Sequence, residues 1–228
     1  MIDKLLFGVG LASGLYLVRN LYTMLVVLPD EAAQGMIYRI MFFHIPSWWT
    51  CFLCFLIAGS ASAYSITKKN FRADSLAVAV TEVGLAFTFV GLATGMIWAK
   101  IIWGIWWTWD ARLTWAFITA LTYAAYLMMR NMIPDPSERM RVSGALNVFS
   151  FASVVICYKA IDWWRTQHPA AVMSFRTGGG NIDPAMEGMT YHNFFAFILL
   201  CTVMVVVRLR QEETRREIEG LRRLAYAG

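Results

Sequence analysis

Hydrophobic positions along the chain gather into six long runs separated by short polar stretches, at about residues 5–28, 45–66, 76–98, 114–129, 142–161 and 191–207. A helix that crosses a bilayer needs about 20 mostly apolar residues, because the hydrocarbon layer is about 30 Å thick. Each run reaches that length once its interfacial residues are counted. Backbone groups in lipid must find partners within their own segment, so the pattern predicts six membrane-spanning helices and an all-α integral membrane protein. It divides the chain into a six-helix transmembrane domain over 1–209 and a polar C-terminal tail over 210–228. In the tail, Glu212 with Arg216 and Glu219 with Arg223 have the i,i+4 spacing of an exposed helix.

Composition supports this reading: 58% of residues are hydrophobic and only 15% are charged, against about 25% charged in soluble domains. The net charge of +5 raises nucleic acid as a partner, and the placement of the basic residues argues against it. Lys4, Lys68, Lys69, Arg72, Arg130, Arg139, Arg141 and the arginines from Arg208 to Arg223 would all lie on one side of the bilayer. By the positive-inside bias that side is the cytoplasm, and both termini lie there. The stretches 30–43, 99–113 and 162–190 then face outward. The first apolar run is too long for the h-region of a cleaved signal peptide and reads as a spanning helix. Cys51, Cys54, Cys157 and Cys201 fall in apolar runs, where cysteine acts as a small buried hydrophobe. The C-x-x-C of Cys51 and Cys54 is therefore read as packing rather than redox chemistry.

On this topology all ten tryptophans and all three histidines fall at or near the outward surface. An interfacial tryptophan belt explains any one of them, but belts form at both interfaces. Six tryptophans between positions 98 and 115 call for a further cause. Trp103, Trp106, Trp107 and Asp110 are spaced i, i+3, i+4 and i+7, which on a helix gives one face and a broad aromatic platform, suited to a large flat apolar ligand. His44 and His168 are each followed closely by a proline and lie near the pairs Trp48-Trp49 and Trp163-Trp164, on separate outward segments. Neutral imidazole ligates iron, and two axial ligands to a heme must approach from opposite faces. His192 lacks this setting. The two carboxylates of a porphyrin need cationic partners; Arg39, Arg112 and Arg165 are the nearest outward arginines, with Arg39 ranked first and Arg112 open to an ion pair with Asp110.

The run from Trp103 to Thr114, WGIWWTWDARLT, resembles the tryptophan-rich (WWD) signature of heme-handling membrane proteins, W-G-x-W-W-x-W-D-x-R-L-T. Within that family the chain is most similar to the heme exporter C (CcmC) group. The likeness extends to Tyr38-Arg39-Ile40-Met41 before His44-Ile45-Pro46, to Trp163-Trp164 before His168, and to Ile182-Asp183-Pro184-Ala185-Met186. The resemblance implies heme b held on the periplasmic side of the bacterial inner membrane, with His44 and His168 as axial ligands. Trp103, Trp106, Trp107, Trp109, Asp110, Arg112 and Arg39 would surround it. It also implies delivery to the heme chaperone CcmE, with the small subunit CcmD and the ABC-transporter subunits CcmA and CcmB as partners, and no enzymatic activity. There is no G-x-x-x-x-G-K-[ST] motif in the chain, so an ATP-driven step would belong to partners. The alternative is a heme lyase that joins heme to apocytochrome thiols; relatives of that kind are generally larger. Arg19 and Glu82 lie within apolar runs without an evident partner.

Overall fold

The computed structural model describes residues 2–169 and 183–226. Six α-helices follow one another: α1 (Ile2–Tyr22), α2 (Met41–Lys68), α3 (Phe71–Trp103), α4 (Ala111–Met132), α5 (Pro136–Trp163) and α6 (Pro184–Tyr226). A π-helical turn, Thr23–Val27, extends α1, and a 3-10 turn, Met36–Ile40, leads into α2. Among the described residues there are no strands. Five of the helices are long and apolar enough to cross a membrane. The exception is α4, whose 22 residues still reach about 33 Å at 1.5 Å per residue. The protein is an all-α integral membrane protein, and every predicted run lies within helical structure.

Local chemistry sets the helix boundaries. Lys69, in the left-handed region at φ 50°, closes α2, and the Asn70 side chain accepts from Ala73 N to open α3. Asp110 and Asp135 cap α4 and α5 in the same manner, with Pro136 in the first turn of α5. The proline of the His44-Ile45-Pro46 motif lies inside α2, where it cannot donate to the carbonyl of Phe42. Asn193 of α6 supplies the missing donor, its Nδ2 lying 2.8 Å from Phe42 O. Asn20 of α1 in turn donates to Asn193 Oδ1 at 3.0 Å, and Ser13 donates to Ala196 O at 3.1 Å. These buried amides therefore join α1, α6 and α2 by satisfying one another.

Helix α2 runs through the centre, packed on α3, α5 and α6. Its seam with α3 is made by glycines: a Cβ on Gly84 would meet Cys54 Cβ at 2.8 Å, one on Gly91 the Trp48 ring at 2.9 Å, and one on Gly95 the His44 ring at 2.9 Å. Small residues at such spacing allow membrane helices to approach closely. Phe55 and Tyr123 stack at 3.6 Å between ring centres in the same core.

At the end of the bundle remote from the tryptophans, buried charges are paired. Arg130 forks onto Asp74 at 2.9 and 2.5 Å, donates to Ser143 at 3.2 Å and lies 3.6 Å from Glu212. Arg216 also pairs with Asp74, and Arg208 with Glu82, which answers the unpartnered Glu82 of the sequence. The expected exposed tail is thus only partly so. Glu212 does pair with Arg216, but it is 1% exposed. Glu219 pairs with Arg139 and Arg215 rather than Arg223, which donates to Pro134 O. The physical reason is that the carboxylates neutralise arginines at the helix ends of the bundle, which draws the first part of the tail onto it as a continuation of α6.

Candidate functional site

The tryptophan segment departs from the predicted helical face. Gly104 takes φ 78°, which ends α3 at Trp103, and residues 104–110 form a non-helical link in which Asp110 caps α4. A continuous helix cannot pass through both signals, a left-handed glycine and an aspartate cap. Trp103, Trp106 and Trp107 nevertheless meet in space, lining one wide cleft of about 1190 Å³, its open mouth included. Trp48, Trp49 and Trp98 share the lining. Trp109 does not: it is 74% exposed and packs edge-on against Trp107 and Phe117. Trp163 and Trp164 are exposed beside the site and pack on each other.

Both predicted imidazoles line this cleft. Their ring centres are 6.5 Å apart with planes inclined by 29°. Imidazole–metal bonds of about 2.0–2.1 Å would put the centres of two rings sharing one metal roughly 6 Å apart. Hydrogen bonds set the tautomer of each ring. Thr94 gives its one hydroxyl proton to the carbonyl of Val90 or Gly91, at 2.7 and 3.1 Å, so at 3.1 Å it accepts from His44 Nδ1. His168 Nδ1 lies 2.9 Å from Pro169 O, which can only accept. Each ring thus carries its proton on Nδ1 and keeps a lone pair on Nε2, the state a metal ligand requires. Burial pushes the His168 pKa down and the Arg112 guanidinium adds to that push, which keeps the ring neutral at neutral pH.

Of the arginines, Arg112 lines the cleft, where its guanidinium donates to Cys157 O. No Asp110–Arg112 ion pair forms among the described residues. Arg39 is absent from the lining and is engaged elsewhere, with Asp30 at 2.9 Å and Leu28 O at 3.1 Å. Asp110 too is outside the lining, its oxygens turned to the backbone and to the segment carrying His168. Arg165 is exposed, and His192 lies away from the cleft with its Nδ1 2.6 Å from Tyr16 OH. Arg19 rests over Tyr16 and beside Asn20. All four cysteines are buried and free, Cys54 Sγ lying 3.4 Å from Cys201 Sγ.

Sequence reasoning passed over Thr94, Gly91 and Gly95. Small residues at 91, 94 and 95 within an apolar run were the available signal, since they mark where a neighbouring helix comes close.

The class that fold and cleft define is an integral membrane protein with an aromatic cleft between two facing imidazoles. Comparison with known proteins narrows this. The family model of heme exporter protein C, CcmC, matches residues 1–223. Heme exporter protein C of Bradyrhizobium diazoefficiens is 34% identical over 194 residues, covering 85% of this chain and 73% of that protein. The Escherichia coli K12 protein of the same name is 28% identical over 182 residues (80% and 73%), and that of Haemophilus influenzae 29% over 210 residues (91% and 80%). The chain belongs to the heme exporter protein C family. Membership implies a part in heme handling for cytochrome c maturation.

Proposed function

We propose that this protein binds heme b in the cleft at the periplasmic face of the bacterial inner membrane and passes it to the heme chaperone CcmE. In this reading it is a delivery component rather than an enzyme, with both termini cytoplasmic and CcmA, CcmB and CcmD as its membrane partners. The observation that carries the reading is the spacing of His44 and His168, 6.5 Å between ring centres with both Nδ1 atoms already engaged.

The residues present fit a porphyrin in three respects. The cleft is walled largely by aromatic and aliphatic side chains, which suit a flat apolar macrocycle. Arg112 is the lining cation, placed to meet a carboxylate. Trp107 Nε1 is a buried donor with no hydrogen-bond partner among the described residues, free to take the other carboxylate. When bound, heme supplies the iron for the two imidazoles and is itself the cargo.

The chain's own residues set how tightly that cargo is held. His44 stands on α2 against α3, a fixed wall, whereas His168 lies on the segment beyond the end of α5. Trp106 is 53% exposed, so the platform is open on one side. A site open at one edge lets a chaperone engage the ligand before the imidazoles have given it up.

The test is an absorption spectrum of the purified protein beside His44→Ala and His168→Ala, together with transfer of heme to purified CcmE. The expected result is a low-spin bis-histidine spectrum that each substitution abolishes, and transfer from the unsubstituted protein. Wild-type heme content and spectrum in both variants would remove the axial assignment.

A further inference from the structure

Asp110 belongs to the tryptophan motif but not to the cleft. Its carboxylate is divided between two tasks. Oδ1 accepts from Leu113 N at 3.0 Å and caps α4, which is all that an N-cap requires. Oδ2 accepts from Thr166 Oγ1 at 2.8 Å and from Gln167 N at 3.1 Å, residues 56 and 57 positions further along the chain. The Thr166 hydroxyl, its proton committed to Asp110, accepts in turn from His168 N at 3.1 Å.

The second oxygen is therefore the base of a relay that ends on the backbone of His168. Among the described residues, no other hydrogen bond ties 165–169 to a distant part of the chain. The bond from His168 Nδ1 to Pro169 O is local. The approach of the His168 and His44 rings is the contact to be explained.

We propose that Asp110 is a positioning residue: through Oδ2 it latches the segment carrying His168 to the start of α4 and so sets the distance between the two imidazoles, without itself touching heme. This rests on the axial assignment made above. It gives the aspartate of the motif a role distinct from that of the neighbouring tryptophans. They form the wall, and it holds the second ligand against that wall.

Two substitutions weaken the latch while sparing the helix. Asp110→Asn keeps an oxygen for the cap, since asparagine is as good a cap as aspartate, but turns an amide donor toward Thr166 and Gln167. Thr166→Val leaves the cap untouched and removes the hydroxyl. The experiment loads full-length protein with ferric heme in detergent and records its spectrum and heme dissociation. Both variants should move from six-coordinate low-spin toward the five-coordinate high-spin spectrum of His168→Ala, and should release heme about ten- to a hundredfold faster, the range for groups that orient a metal ligand. Thr166→Ser should retain the wild-type spectrum, and added imidazole should restore the low-spin form in the latch variants. Wild-type spectra in Asp110→Asn and Thr166→Val, with a changed spectrum in His168→Ala, would overturn the latch alone. A wild-type spectrum in His168→Ala would overturn the axial assignment, and the latch with it.

Discussion

Gly95 lies directly against His44: a Cβ at position 95 would come within 2.9 Å of the imidazole Cε1. The atom in the way is the far end of a side chain, so the ring yields before the helices part. Gly95→Ala should therefore preserve the melting temperature but displace the imidazole, weakening heme retention and altering the absorption spectrum. Gly84→Ala makes the contrast, because its Cβ would meet Cys54 Cβ at 2.8 Å and the Phe55 ring at 3.1 Å. Overpacking there should cost about 1–3 kcal/mol, read as a lower melting temperature in detergent.

Two of the three arginines named as carboxylate partners should separate experimentally. Arg112 lines the cleft, and Arg112→Ala should weaken heme binding by about 1.5–3 kcal/mol, the worth of a hydrogen bond to a charged group, or roughly ten- to a hundredfold in Kd. Arg39 pairs with the half-exposed Asp30. Arg39→Ala should leave heme affinity within twofold and cost about 0–1 kcal/mol of stability. A heme titration on both variants decides the order, and a larger loss in Arg39→Ala would reverse it.

The charged cluster at the opposite end should prove structural. Arg130 is 4% exposed and bonded to Asp74 and Ser143, with Glu212 close by. Arg130→Ala removes the most deeply buried partner of Asp74 and leaves it the less buried Arg216, and breaking such a buried pair costs about 3–5 kcal/mol. The melting temperature should fall sharply, whereas the fraction that stays folded should retain an unaltered heme spectrum. An altered spectrum would mean that this end communicates with the cleft.

Much of this architecture was legible from residue order. Run length and hydrophobicity located all six helices, five of them long and apolar enough to cross a membrane, and the gathering of tryptophan and histidine at one end drew attention to the stretches that form the cleft. The pairing of His44 with His168 could be proposed because each stands beside a proline and a tryptophan pair. The shape of the 104–110 link was harder, since the spacing of Trp103, Trp106 and Trp107 fits a helix and one glycine in the left-handed region overrides it. Arg39 was ranked by proximity in sequence, which carries no record of its bonds to Asp30 and to the carbonyl of Leu28. The tail's charge pattern reads equally well on a free helix and on one whose carboxylates reach the bundle. A long-range partner, Asp74, decides between them, and it lies more than a hundred residues from Arg216.

The proline two residues past His44 has a mechanical consequence. By freeing the Phe42 carbonyl it opens a socket in α2, filled by Asn193, which also holds Asn20. The outermost helix, whose flank is otherwise bare and greasy, is thereby geared through two carboxamides to the turn that bears His44. An unbroken line of hydrogen bonds thus runs from that flank to the turn beside His44.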